Sequence, residues 1–289
     1  MVDPARVRIA VTLESTPVHT RDVISLFTSL EELGGRLAHA QKAAYMIEPC
    51  RSDLVSVLEG IGVEVVPSPV FDERCRYANK LAMFDPSRDY DYLVALDTDM
   101  VIGRDFSPFI LGEAVAARVA GTPHLALDEW RTLFDHVGLP FPQARMLAQR
   151  AWEETIPYYA TGHVILPHAA VAPLVAAWGE SVRTILSLLD VFPFLARTHP
   201  HFTDQIGFAM ALARTGLPHR ELPLSLSFGY QATHPDATEA GSLDAHVLHT
   251  SRRYDRHGFL TPGLFARTNR TLLDVNEALR RTQRNVMIA

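Results

Sequence analysis

The clearest chemistry in this chain sits at Asp97-Thr98-Asp99. These two carboxylates, one residue apart, follow Tyr92-Leu93-Val94-Ala95-Leu96, an unbroken apolar run of the kind a strand buried on both faces requires. The acids therefore fall where a core strand ends, and open α/β sheets gather their ligands there. In an extended segment residues two apart point the same way, so both carboxylates can face one cation. Paired hard oxygen ligands suit Mg²⁺ or Mn²⁺ carrying a diphosphate. Asp-x-Asp is weak evidence alone, and Asp89-Tyr90-Asp91 is a second copy. That copy precedes the strand and reads as solvated turn carboxylates. The plain alternative for Asp97 and Asp99 is a turn aspartate beside a helix N-cap.

The elements needed to hold such a site can be traced from the N-terminus. Residues 7–13 read as a first buried strand, with Glu14-Ser15-Thr16-Pro17 as the turn leaving it. Helical spacing follows over 22–33, with Val23, Leu26, Phe27 and Leu30 on one side and Gly34-Gly35 as the stop. A second strand is expected within 37–47, a helix at 53–59 and a third strand at 63–66, closed by Pro67 and Pro69. Residues 79–84 read as helical and lead to the strand at 92–96. Strands alternating with helices imply a parallel sheet of nucleotide-binding type. Further on, 121–157 is polar and aromatic, with Trp130, Phe134, Phe141 and Trp152. A strand at 164–166, helices near 170–178 and 180–190, a helix at 203–212, short strands at 222–228 and 245–248, and an arginine-rich helix at 271–284 complete the reading. No repeat or linker interrupts it. The expectation is one α/β domain over 1–289, Rossmann-like with a mixed central sheet: a nucleotide-binding half at 1–101, an acceptor half completing the donor site at 102–260, and a C-terminal helix at 261–289.

Composition narrows the classes. The 289 residues can bury a substantial core, and 47% apolar with 21% charged is ordinary for a globular protein. A net charge of −6 without a basic face argues against nucleic-acid binding. Two cysteines, Cys50 and Cys75, are too few for a disulfide framework or a zinc cluster. No run approaches the roughly eighteen apolar residues that cross a bilayer, and the start lacks a signal-like stretch, so a cytoplasmic location is expected.

The segment Leu93-Val94-Ala95-Leu96-Asp97-Thr98-Asp99-Met100-Val101 resembles the metal-binding segment of GT-A glycosyltransferases, nearest to the retaining family of glycogenin and the bacterial lipopolysaccharide galactosyltransferases. Other segments follow in that family's order. Tyr77-Ala78-Asn79-Lys80-Leu81 resembles a helix with a basic donor-binding residue, here Lys80. Tyr159-Ala160-Thr161-Gly162-His163-Val164 resembles the family's aromatic, small-residue and strand segment, which brings Thr161 and Gly162 to the donor. Asp204-Gln205 matches the pair that opens a helix beside the donor sugar, and His249 stands where a third metal ligand is expected. His246, three residues before it, would face the other side of a strand. After His249 the family places a lysine that meets the diphosphate; this chain reads Thr250-Ser251-Arg252-Arg253, so Arg252 or Arg253 would supply the charge.

The resemblance implies a GT-A fold and a hexosyltransferase with Mn²⁺ or Mg²⁺ on Asp97, Asp99 and His249. Its donor would be a nucleotide sugar, UDP-linked before GDP-linked, and its acceptor a small molecule or glycan, with retention of configuration. Asp204 and Gln205 would be catalytic. Thr12, Leu13, Lys80, Asp97, Thr98, Asp99, Thr161, Gly162, Arg252 and Arg253 would bind the donor. Acceptor selection is expected from 121–157 through Trp130 and Trp152. Two other classes compete. A sugar-nucleotide nucleotidyltransferase needs a glycine-rich basic loop after the first strand, and Leu13-Glu14-Ser15-Thr16-Pro17 has neither glycine nor charge of that sign. A non-catalytic binding protein would not need Asp97, Asp99, Asp204, Gln205 and His249 together.

Overall fold

The computed structural model describes residues 2–148, 152–229 and 243–284. Five apolar strands come first: β1 (Val7–Glu14), β2 (Gln41–Ile47), β3 (Glu64–Ser68), β4 (Tyr92–Leu96) and the short β5 (Met100–Ile102). Then follow β6 (Val115–Val119), the hairpin β7 (Met146–Ala148) and β8 (Glu153–Thr155), β9 (Tyr159–Pro167), β10 (His219–Glu221), β11 (Phe228–Gly229) and β12 (Val247–His249). Seven of these form one mixed sheet in the order β10-β6-β9-β4-β1-β2-β3. β9 runs antiparallel to both its neighbours, and the other pairings are parallel.

Both faces of that sheet are covered, which is why its central strands are mostly apolar, and the buried Arg8 of β1 is paired with Glu64. Ile9, Val11, Val94 and Leu96 pack with α1 (Pro17–Leu33), while Ala10, Leu93 and Ala95 face α4 (His168–Ser187) and α6 (Thr203–Thr215). Thr16 caps α1 by accepting from the His19 N–H at 3.3 Å, and Pro17 occupies the first turn, where its missing N–H costs nothing. α1 is buried on more than one side because β5 and the C-terminal α7 (Ala266–Arg281) pack against it. The remaining helices are α2 (Ser52–Gly60), α3 (Leu127–His136) and α5 (Pro193–Thr198).

Several local expectations are corrected. Residues 168–187 form one helix rather than two, because Pro173 lies near its start and removes a single bond of the first turns. The expected helix at 79–84 is the second half of a 3₁₀ helix spanning Arg76–Met83. Most of 222–228 is a loop with a 3₁₀ turn at Leu224–Leu226, leaving only Phe228–Gly229 as strand. Pro67 sits inside β3, an edge strand where a missing donor is tolerated. Of the stretch 121–157, residues 149–151 lie outside the described residues. Among the described residues no helix is long and apolar enough to cross a membrane.

Candidate active site

Three structural devices converge at the carboxyl ends of β1 and β4. The first is the turn after β4. Thr98 and Asp99 form a tight turn into β5, so the expected extended Asp-x-Asp segment is corrected to a bend. Both acids still line one cavity of about 700 Å³. The second is β5 itself, which pairs antiparallel with β12 and sets His249 opposite Met100. Thr250 then donates its N–H (2.8 Å) and its hydroxyl (2.9 Å) to the Asp99 carbonyl, and His249 Nε2 lies 3.1 Å from Asp99 Oδ2. His246 packs its ring edge-on to Phe109, away from the cavity.

The third device is an irregularity in β9. Its register with β6 steps from Ala117↔Val164 to Arg118↔Ala160, so Thr161, Gly162 and His163 are unpaired on that side. Such bulges re-aim side chains at sheet rims. Gly162 accepts from the Asp97 N–H at 2.8 Å, and a Cβ on it would stand 2.6 Å from Asp97 Oδ2, so only glycine lets that carboxylate lie here. Thr161 turns inward and donates to Asp204 Oδ2 at 2.7 Å.

Lys80, on the 3₁₀ helix beneath the exit of β1, ties these parts together. Its ammonium lies 3.3 Å from Asp97 Oδ1, 3.1 Å from Asp204 Oδ2 and 3.0 Å from Thr161 Oγ1. Burial works against its charge, but Asp204 and Asp97 outweigh that and raise its pKa above the usual lysine value. Asp204 opens α6 and is 1% exposed, while its Oδ1 is buried without a hydrogen-bond partner. At Asp99 burial raises the carboxyl, yet the hydrogen bond and charge of His249, with Arg252 nearby, bring it below the ordinary range. His249 is moved upward by Asp99 in spite of its burial.

Thr12, Leu13, Lys80, Asp97, Thr98, Asp99, His249 and Arg252 are brought together around the first cavity. Arg253 does not; its side chain is exposed and its carbonyl accepts from Thr261. Thr161 and Asp204 lie beneath the cavity, Gly162 behind Asp97, and Gln205 opens instead onto a second cleft of about 1110 Å³. That cleft is walled by Arg118, His124, Arg145, Trp152 and Phe202, and it shares His249 with the first. Trp130 and Phe134 are fully buried in a core cluster of their own, so the expected acceptor role of Trp130 is corrected; Trp152, 64% exposed, lies in the cleft. Glu14, within the strand exit 12–15 expected to meet the nucleoside, also lines the first cavity. Sequence reasoning missed His19, Ile47, Arg76, Tyr77, Asn79 and Ser251, which line it too. The acids Asp89 and Asp91 pair with Arg6 at the opposite edge, as solvated turn carboxylates should.

Asp97, Asp99 and His249 share a cavity without being drawn into a closed ligand set. Among the described residues no three His, Cys, Asp or Glu side chains gather as a metal site would require. Asp97 is turned to Lys80 and Asp99 to His249. The donor types themselves, two carboxylates and an imidazole, fit Mn²⁺.

A mixed sheet with a single reversed strand, and a polar cavity at its carboxyl edge, is the GT-A-like architecture expected from the sequence. Residues 23–216 match the Rhodobacterales glycosyltransferase domain, more than half of the chain, and the chain belongs to that family. Among solved structures, the apo crystal structure of mouse xyloside xylosyltransferase 1 matches at 14% identity over 84% of this chain and 96% of that one, with a TM-score of 0.49. No curated protein matches the sequence.

Proposed function

We propose that the chain is a metal-dependent glycosyltransferase that moves a sugar from a nucleotide-diphosphate donor, UDP-linked before GDP-linked, to an acceptor in the second cleft, with retention. The observation that carries this reading is the junction of the two spaces: His249 borders both, with Asp97 and Asp99 in one and Gln205 in the other. Asp97, Asp99 and His249 would hold Mn²⁺ or Mg²⁺, which supplies a Lewis acid for the diphosphate leaving group. Lys80 and such a cation compete for Asp97. Thr12 and Leu13, at the end of β1, suit the nucleoside, as strand exits do in open sheets.

Transfer stretches the bond between the anomeric carbon and the leaving oxygen, so negative charge grows on the diphosphate and positive character on the sugar. Fixed cationic groups beside the diphosphate stabilise that state more than the ground state. Arg252, at the wall of the cavity, provides a guanidinium fork that matches phosphate oxygens. Asp204 lies beneath the cavity with Oδ1 buried and partnerless and Oδ2 held by Thr161 and Lys80, which suits it to fixing the Lys80 ammonium at the cavity floor rather than attacking the sugar. Gln205, whose amide makes no hydrogen bond among the described residues, borders the cleft from which an acceptor would approach.

Calorimetry with MnCl₂ and UDP, GDP, UTP or GTP tests the reading, together with mass-spectrometric detection of slow donor hydrolysis across common nucleotide sugars. Metal-dependent binding of a nucleoside diphosphate, lost with EDTA, is expected. Preference for the triphosphates, or no nucleotide binding at all, overturns it.

A further inference from the structure

Asp22 is the most deeply buried carboxylate near the first cavity. It is 0% exposed in the second turn of α1, with Thr20, Ser25 and Thr28 as buried neighbours on the same helix. An isolated carboxylate is not tolerated in such a place without a compensating cation. Here two arginines face it: Arg252 Nε lies 3.1 Å from Oδ2, and Arg21 Nε 3.7 Å from Oδ1. Arg21 is also occupied by the Tyr254 ring, 4.3 Å from its guanidinium carbon. The pair with Arg252 is thus the shorter one, and it joins α1 to the loop after β12.

The backbone of that loop is shaped to deliver Arg252. Ser251 and Arg252 both adopt left-handed backbone, with φ of 52° and 59°, which non-glycine residues seldom hold in succession. Thr250, bonded twice to the Asp99 carbonyl, fixes the start of the turn, and its hydroxyl accepts from the Arg252 N–H at 3.4 Å. Arg252 therefore lines the cavity with Asp99 and His249, its side chain 46% exposed. The contact to Asp22 is made through Nε, and among the described residues the guanidinium has no other side-chain partner. Arg252 lines the cavity as a residue, and a guanidinium held at Nε leaves its terminal nitrogens, the fork that matches two phosphate oxygens, for a ligand there.

We infer that Asp22 is a positioning residue: it grips Arg252 by Nε so that the terminal nitrogens of the guanidinium meet the diphosphate of the donor. This rests on the diphosphate donor proposed above and adds to it a residue seventy-five positions before the first metal-site acid, on a different element. It also separates Arg252 from Arg253, which has no such partner among the described residues.

Calorimetry with UDP and GDP in MnCl₂ tests the inference on the wild-type chain, Asp22→Asn, Arg252→Ala and the double variant, with uridine and guanosine as phosphate-free controls. Asp22→Asn is expected to weaken diphosphate binding about 10-fold and Arg252→Ala about 10- to 100-fold, the range of a hydrogen bond to a charged group. The double variant should bind no more weakly than Arg252→Ala alone, because both changes remove one interaction. Nucleoside binding should be unchanged in all of them. Wild-type affinity in Asp22→Asn, or strictly additive losses in the double variant, overturns the inference while leaving the donor reading intact. A wild-type chain that binds neither diphosphate overturns both at once. Should Asp22→Asn fail to fold, Arg252→Lys carries the test: it keeps the charge but loses the division between Nε and the fork, so its diphosphate binding should fall about as far as in Arg252→Ala, and undiminished binding overturns the inference.

Discussion

The two spaces that meet at His249 are built from different materials. The first cavity is walled by strand ends and by charges locked to one another: Lys80 to Asp97 and Asp204, His249 to Asp99, Arg252 to Asp22. The second is walled by loops and the β7–β8 hairpin together with the ends of β6, β9 and β10, and its ring surfaces are the stacked His124–Phe202 pair and the exposed Trp152. Its charged side chains are already engaged, Arg118 with Glu221 and Arg145 with the carbonyls of Pro142 and Ala144. A cavity of interlocked charges beside a cleft with exposed rings is what one would build to hold a constant donor and a variable acceptor. Each prediction below probes whether that division holds.

The largest effect is expected at Lys80. Replacing it with methionine leaves Asp204 buried without its cation, and breaking a buried pair by removing one partner costs about 3–5 kcal/mol. Urea denaturation should show a loss of that size, and donor hydrolysis should fall with it. A variant as stable as the wild type would mean that the first cavity is not held together by this ammonium.

Next in size is Asp99→Asn, whose main effect is on function. Removing one electrostatic stabiliser of a developing charge typically costs about 10²–10³-fold in turnover. Donor hydrolysis in MnCl₂ should drop by that factor, while the melting temperature falls only by the loss of the His249 pair. Equal loss in a variant of the second cleft would erase the distinction between the two spaces.

How far each space could be read from the sequence follows the same line. β1 and β4 are local apolar runs, and their exits, Thr12, Leu13, Asp97 and Asp99, were legible because a buried strand must end in a turn at the sheet edge. His249 was legible only through the family resemblance, since its place depends on β12 pairing with β5 from about 150 residues away. The turn at Thr98-Asp99 was misread as extended, because nothing in three residues distinguishes a bend from a strand end. Asp22 and His19 were invisible as site residues. They lie on a helix whose periodicity announces a core face, and only the return of the loop at 250–257 brings Arg252 onto it. Trp130 and Trp152 have the same chemistry in sequence; tertiary packing alone buries one and exposes the other.

A smaller and more diagnostic effect belongs to pH. Burial, opposed by Arg252 and Arg21, lifts the Asp22 carboxyl from about 3.8 to about 7. A carboxyl raised in the folded state takes up a proton that the unfolded chain has already lost. Its contribution to stability is therefore present at low pH and is lost as pH rises from 3.8 through 7. Between pH 6 and pH 8 that loss amounts to about 1.4 kcal/mol. Denaturant titrations in EDTA should show it in the wild type and not in Asp22→Asn. The variant would then be the more stable protein at pH 8 and the poorer binder of diphosphate, as expected where a buried charge is kept for function.

The smallest functional effect is expected at Trp152, and Trp130 is its structural contrast. Trp130→Ala removes a fully buried indole from the cluster with Phe134 and Tyr158, and should destabilise by about 3–5 kcal/mol. Trp152→Ala touches no core, because its ring stands 64% exposed in the second cleft. Its stability should be unchanged to within about 0.5 kcal/mol, as for surface substitutions in general. What should change is the ratio of sugar transfer to donor hydrolysis, read by mass spectrometry over a panel of neutral glycosides. A fall of about 5-fold, the order of one exposed aromatic contact, is expected. Hydrolysis should be untouched, because the first cavity shares only His249 with the cleft that holds Trp152. If hydrolysis fell in step with transfer, the cleft would be part of the donor site and the boundary at His249 would have to be redrawn.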